Sequence, residues 1–278
     1  MTSLPPGVER FDKTIAQQMA ARNIIMSLYG DSKSGKTHFA VRCGRPLYIA
    51  YLDPNSALDY HLLKAEQDGY VGDIFKCVVP PVSYDQLTGP KAHEIVGKVD
   101  AFAAWARREA KAREDKGEPG GTFVVDGMTM FKGYVEKDIL GESATLGWRA
   151  TKGERGGPST FDYAKSNGAL RDFVSGFMGS SCDVVLVWEG RPEYANGEPI
   201  PGKFHSTMPT QVPFAVTVEA EVFVELEPII ENSVRTGSKP VPKVRVARNT
   251  YGLELRDRAF PAKGFDGLKR LLLAGLDA

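Results

Sequence analysis

The sequence lacks most of what would place it in a specialised class. Its 278 residues include only three cysteines, Cys43, Cys77 and Cys182. They stand too far apart for a metal or redox spacing and are odd in number, which excludes a disulfide scaffold and reads as buried thiols in a reducing compartment. There is no excess of charge: 35 basic side chains balance 35 acids. A protein that coats nucleic acid by bulk charge is therefore excluded, and any nucleic-acid site must be a local loop or stripe. No apolar run approaches the ~18 residues of a membrane span, and Met1 to Gly7 hold no apolar signal core. The chain reads as a soluble cytoplasmic protein with no membrane partner. The four histidines show no metal spacing, and there is no internal repeat or long low-complexity segment.

What is present is an ordinary globular composition, 42% hydrophobic and 25% charged, arranged in alternation. Ile24–Tyr29 is an apolar run that stops at Gly30, as a buried strand does. Helical Lys36–Arg42 follows. Buried strands are expected over Pro46–Asp53, Ile74–Val79, Thr122–Asp126 and Cys182–Trp188. Helices are expected over His93–Lys116, Met128–Leu140 and Phe161–Met178. Gly141–Ser159 and the proline- and glycine-rich Gly190–Pro213 read as long loops. Val216–Leu226 and Pro242–Arg248 are further strands, read as antiparallel, before an amphipathic helix at Gly264–Leu276. Strands alternating with helices predict an α/β fold with a mostly parallel central sheet. With no clean linker, residues 1–22 form a polar lead-in with a helix near Lys13–Arg22, and residues 23–278 one domain.

Gly30-Asp31-Ser32-Lys33-Ser34-Gly35-Lys36-Thr37 fits G-x-x-x-x-G-K-[ST] at every fixed position. Glycines let the backbone curl so that successive N–H groups converge on phosphate oxygens. Lys36 reaches the β- and γ-phosphates, and Thr37 offers a hydroxyl to Mg²⁺. A chance match in a chain of this length has odds of roughly 1 in 100 on average residue usage, and the strand before and helix after the motif are the context it requires. The second element is Phe123-Val124-Val125-Asp126. A short buried strand ending in an acid suits an Asp that holds Mg²⁺ beside the phosphate loop. His38, next to Thr37, is within reach of a nucleotide. No N-K-x-D guanine-reading motif is present, which favours ATP.

On these residues the chain resembles the RecA-like P-loop ATPases, and among them the compact phage-type ATP-binding and Sak-type single-strand annealing proteins. Leu47–Asp53 is similar to the family's second strand, Ile74–Leu87 to its third strand and following turn, and Cys182–Trp188 to the strand after the acidic one. The resemblance implies a RecA-like core over roughly residues 22–260, with ATP and Mg²⁺ as cofactors. It implies a phosphate-sensing polar residue at Glu189, where family members often carry Gln or His. A carboxylate there departs from the pattern, since it repels phosphate. The resemblance also implies a water-polarising Glu near the end of the second or third strand. This sequence offers Asp53 or Asp85 instead. Arg248 matches a basic residue that reaches a neighbouring subunit's nucleotide, and self-association into a ring or filament is implied with it.

The two long loops follow strand C-termini, where parallel α/β sheets carry their binding surface. The first holds Trp148, Arg149, Lys152 and Arg155, and the second Arg191 and Lys203. Cations interleaved with aromatics and glycines suit single-stranded DNA, and in the resembling family these loops face DNA. The leading expectation is a RecA-type ATPase acting on single-stranded DNA in annealing, recombination or replication, encoded by a phage and working in the host cytoplasm. Two readings stay beside it: an ATP-gated loader or assembly factor acting on protein partners, and a P-loop small-molecule kinase.

Overall fold

Five short strands form the centre of the molecule: β1 (Ile25–Tyr29), β2 (Leu47–Tyr51), β3 (Ile74–Val78), β4 (Thr122–Asp126) and β5 (Asp183–Val187). The computed structural model describes residues 23–53, 57–80, 82, 86–141, 160–195, 197–209, 212–231, 234–250 and 255–274. Among the described residues six α-helices connect or flank the strands: α1 (Lys36–Ala40), α2 (Leu58–Gln67), α3 (Gly89–Glu114), α4 (Met128–Leu140), α5 (Thr160–Ser175) and α6 (Phe265–Ala274). Two further strands, β6 (Gly190–Ala195) and β7 (Glu198–Ser206), form a separate hairpin. Long β8 (Val218–Glu231) and β9 (Val234–Asn249), with short β10 (Ala259–Pro261), complete an eight-stranded sheet in the order β10-β9-β8-β1-β5-β4-β2-β3. Strands β1 to β5 and β8 are parallel, whereas β9 and β10 pair antiparallel. This is the α/β class with a mostly parallel sheet, flanking helices and C-terminal antiparallel strands that the sequence predicts.

The inner strands are mostly apolar because both faces of the sheet are covered. Val184 and Leu186 of β5 pack with Ile95 and Val99 of α3, Phe131 of α4 and Leu170 of α5. Val185 and Val187, one residue out of phase, pack with Phe39 of α1, Leu62 of α2 and Phe265 of α6 on the other face. Burying each such side chain stabilises the fold by about 1.5–3 kcal/mol. The register aligns the strand ends, with Leu28 of β1 and Asp126 of β4 both beside Val187 of β5. The loops that follow these strands therefore open on one edge.

Four sequence expectations need correction or extension. Strand β3 is not buried: its residues alternate in exposure because it is the sheet's edge. Gly190–Pro213 is not a long loop, since most of it is the β6–β7 hairpin. Prolines are tolerated there because a two-stranded ribbon has open edges that need no ladder donor. Strands β8 and β9 run longer than expected and form a ribbon extending past β1. Helix α2 occupies a stretch to which the sequence reading assigns no element; Leu58, Leu62 and Ala65 are its buried stripe. The lead-in over residues 1–22 and the loop over 142–159 lie outside the described residues. Among the described residues no helix is long and apolar enough to cross a membrane.

Candidate functional site

At the end of β1 the chain turns at Gly30, where a Cβ would lie 2.1 Å from the Val222 carbonyl oxygen of β8. Only glycine lets the loop leave the strand so close to its neighbour. Lys33 takes a left-handed backbone, φ 61°, unusual for a residue with a side chain and a form of strain found at ligand-binding turns. Gly35, also left-handed at φ 96°, starts α1.

Lys36 and Thr37 open that helix. The Lys36 ammonium donates to the carbonyl oxygens of Gly30 at 2.9 Å and Asp31 at 2.6 Å. The Thr37 hydroxyl donates to the Asp126 carboxylate at 3.0 and 3.2 Å, across 89 residues of sequence. Asp126, the last residue of β4, is buried. A hydroxyl and a buried carboxylate side by side are hard oxygen donors of the type Mg²⁺ takes. Ser34 Oγ, beneath the loop, is buried without a hydrogen-bond partner among the described residues. The phosphate loop and its acidic strand, read separately from the sequence, thus meet in one corner, and the donor set fits a magnesium–phosphate group.

The corner opens into a cavity of about 580 Å³. Burial pulls the Lys36 ammonium below its usual pKa, and the carboxylates of Glu189, Asp126, Asp31 and Asp53 oppose that pull, Glu189 most strongly. Four acids act on one lysine in this cavity, an arrangement that a divalent cation complements.

Asp53 and Glu189 both line this cavity. Asp85 lies outside the described residues. His38 turns toward α2, edge-on to His61 with ring centroids 5.7 Å apart. Burial first, then Arg42 and His61, pushes its imidazole down to about 4. Arg248 of β9 donates to the carbonyl oxygens of Pro213 at 2.9 Å and Val216 at 3.5 Å, so within its own chain the guanidinium ties down the segment entering β8.

Arg191 and Lys203 fall on β6 and β7. Arg191 stands opposite His205, and all three are exposed. Phe204, between Lys203 and His205, instead packs toward the core. The basic residues therefore share one outward face of a hairpin rather than lying scattered on a loop. Trp148, Arg149, Lys152 and Arg155 lie outside the described residues.

Two features of the site go beyond the sequence reading. His61 enters the cavity wall from α2, a helix for which the sequence carries no clear signal. Thr129, three residues past Asp126, also lines the cavity and bonds the end of β5. A lone threonine after an acidic strand carries no sequence signal of its own.

No family model matches the chain, and no curated protein matches it. Solved structures do match. One is a KaiC-like protein from the hyperthermophilic archaeon Pyrococcus horikoshii OT3, at 13% identity over 87% of this chain and 88% of that one, with a TM-score of 0.42. A likeness this distant adds no argument about what this chain does.

Proposed function

We propose that residues 23–278 form one RecA-type ATPase domain that binds ATP with Mg²⁺ between the Gly30–Thr37 loop and Asp126 and acts on single-stranded DNA. The observation that carries the nucleotide reading is the Thr37–Asp126 contact beside Lys36, at the C-terminal edge of a parallel sheet. Loop amides of Gly30 to Gly35 cradle phosphate oxygens. Lys36 exchanges the carbonyls of Gly30 and Asp31 for the β- and γ-phosphates. Thr37 and Asp126 hold Mg²⁺, which supplies charge neutralisation on the phosphoryl oxygens. Asp53 and Glu189 are the acids in the cavity that can orient the attacking water, with Asp85 as the other candidate from sequence.

The DNA reading is supported by the outward basic face of Arg191, Lys203 and His205 on a hairpin that starts at the cavity rim. Phosphate contacts from such a face give affinity without base specificity. The loop carrying Trp148, Arg149, Lys152 and Arg155 joins it on sequence grounds. Assembly into a ring or filament, and the phage-type assignment with its place in the host cytoplasm, rest on the sequence resemblance.

One observation favours a second reading. By sequence, no glutamate follows the second or third strand, and among the described residues that line the cavity the glutamate is Glu189, a carboxylate of the same sign as phosphate. An ATP-gated loader or assembly factor that binds nucleotide tightly and turns it over slowly fits that pattern.

ATP hydrolysis measured with and without single-stranded DNA, alongside sizing at several protein concentrations, separates the two. Stimulation by DNA that is lost on replacing Arg191 and Lys203 together supports the leading reading. Tight ATP binding with neither turnover nor DNA affinity supports the loader. A phosphorylated small-molecule product would contradict both and indicate a kinase.

A further inference from the structure

Helix α1, which continues the phosphate loop, is only five residues long. Helices shorter than about 12 residues do not hold their shape in water on their own. The direction of α1, and with it the placement of Lys36 and Thr37 on its first turn, therefore comes from what grips the helix. Phe39 and Ala40 are buried on one side of it. Its far end is gripped by Arg42.

The Arg42 side chain is only 5% exposed and closes two contacts at once. Nη1 donates to the His38 carbonyl oxygen at 3.0 Å. That carbonyl is one of the last in the helix, where intrahelical donors run out, and the Arg42 amide bonds the Phe39 carbonyl at 3.3 Å. Nε donates to the Asp68 carboxylate at 2.9 Å, and Nη2 donates to the same oxygen. Asp68 is the residue that ends α2. The guanidinium holds the Asp68 carboxyl below the usual carboxylate range, so the pair is charged at neutral pH. A cation also complements the negative end of α1.

The backbone around Arg42 is held from a third side. Its carbonyl accepts from the Asp266 amide at 3.3 Å, and Asp266 Oδ1 accepts from the Gly44 amide at 2.8 Å. A Cβ on Gly264, just before α6, would collide with the Arg42 Cβ. Helix α6 is itself anchored to the sheet by Lys269, which donates to Asp183 of β5. Arg42 is thus the point where α1, α2 and α6 meet. Neither it nor Asp68 lines the cavity.

We propose that Arg42 is a positioning residue for the nucleotide site: braced by Asp68, it holds α1 by the His38 carbonyl and so sets where Lys36 and Thr37 meet the phosphates and the metal. The proposal rests on the nucleotide reading of the phosphate loop. It adds that the geometry of that loop is imposed from the far end of a short helix, by two residues that never touch the ligand. An arginine is needed because its planar fork reaches two partners in fixed directions, which a lysine ammonium does not.

The test is titration of the full chain with ATP, once with Mg²⁺ and once with a chelator, at a temperature where every variant is folded. Amide hydrogen exchange over residues 36–42 without ligand accompanies it. Asp68→Asn alters a side chain that is 54% exposed, removing its charge and little else. It should bind ATP about fivefold more weakly with Mg²⁺ and about twofold more weakly without, because Thr37 no longer meets the metal squarely. Its α1 amides should exchange about tenfold faster. Arg42→Lys should lose about tenfold with Mg²⁺, with the same bias toward the metal-bound form. Asp68→Glu, which restores the carboxylate, should bind within about twofold of the wild type. Leu170→Ala opens the core on the opposite face of the sheet. It should lower the urea midpoint yet leave ATP affinity and α1 exchange unchanged, which separates positioning from general loosening.

The proposal is overturned if Asp68→Asn and Arg42→Lys bind Mg²⁺–ATP as tightly as the wild type, if Leu170→Ala loses as much affinity as they do, or if α1 exchange stays at the wild-type rate in both. A wild-type chain that binds no ATP overturns the nucleotide reading and the proposal with it. Wild-type binding that both variants leave unchanged overturns the positioning role alone.

Discussion

The phosphate loop and the β6–β7 hairpin touch through Gly30 and Gly190 but are built on different terms. The loop is eight contiguous residues whose shape follows from local backbone rules: a close approach at Gly30, a left-handed turn at Gly35, a lysine and a threonine at the start of a helix. The hairpin is two strands that exist only because they find each other, with a bulge between Pro192 and Tyr194 and one wall against the core through Phe204. The loop carries chemistry in residue identity, whereas the hairpin carries it in which side chains the pairing leaves outside. Substitutions in the loop should therefore act sharply and singly, and those on the hairpin weakly and in sum.

The largest effect is expected at Lys36. Lys36→Ala should weaken ATP binding by about 100-fold, the scale of removing one partner from a buried charged contact, while the far-ultraviolet spectrum stays unchanged. Titration with a fluorescent nucleotide checks it, and an effect under threefold would erase the contrast between the two regions. Gly30→Ala comes next. Its Cβ would strike the Val222 carbonyl, so the chain should lose about 2 kcal/mol of stability, read as a lower urea midpoint at constant slope.

The same contrast explains how much could be read in advance. The central strands were legible because burial on both faces makes them continuous apolar runs, and Asp126 stood out as the acid ending one of them. Helix α2 is hard to see although Leu58, Leu62 and Ala65 have helical spacing, because the exposed Tyr60 and Leu63 between them blur the stripe. The hairpin reads as a loop in sequence because Pro192, Pro199 and Gly197 are turn residues by composition, and nothing local shows that Arg191 will face His205. The contact between the Thr129 and Thr207 hydroxyls is illegible for a related reason: they are 78 residues apart, and only the fold brings them together.

Two smaller effects sharpen the comparison further. Asp126→Asn should cost about tenfold in ATP affinity in the presence of Mg²⁺ and make binding indifferent to chelation of the metal, whereas the wild type weakens when the metal is removed. Parallel titrations with Mg²⁺ and with a chelator read this directly. Smallest is Arg191→Ala, which should weaken single-stranded DNA binding only about threefold and lower the salt slope by about one. Filter binding across a salt series measures it, and a loss as large as that of Lys36→Ala for ATP would mean that the hairpin, too, works through a single indispensable residue.

The most direct test of the account is a crystal structure of the chain grown with Mn²⁺ and a non-hydrolysable ATP analogue, using the anomalous signal of the metal. The account predicts one manganese peak within coordination distance of both Thr37 Oγ1 and an Asp126 carboxylate oxygen, with the analogue's phosphates wrapped by the Gly30–Gly35 backbone. A metal bound away from Asp126, or an analogue seated outside that loop, would contradict it.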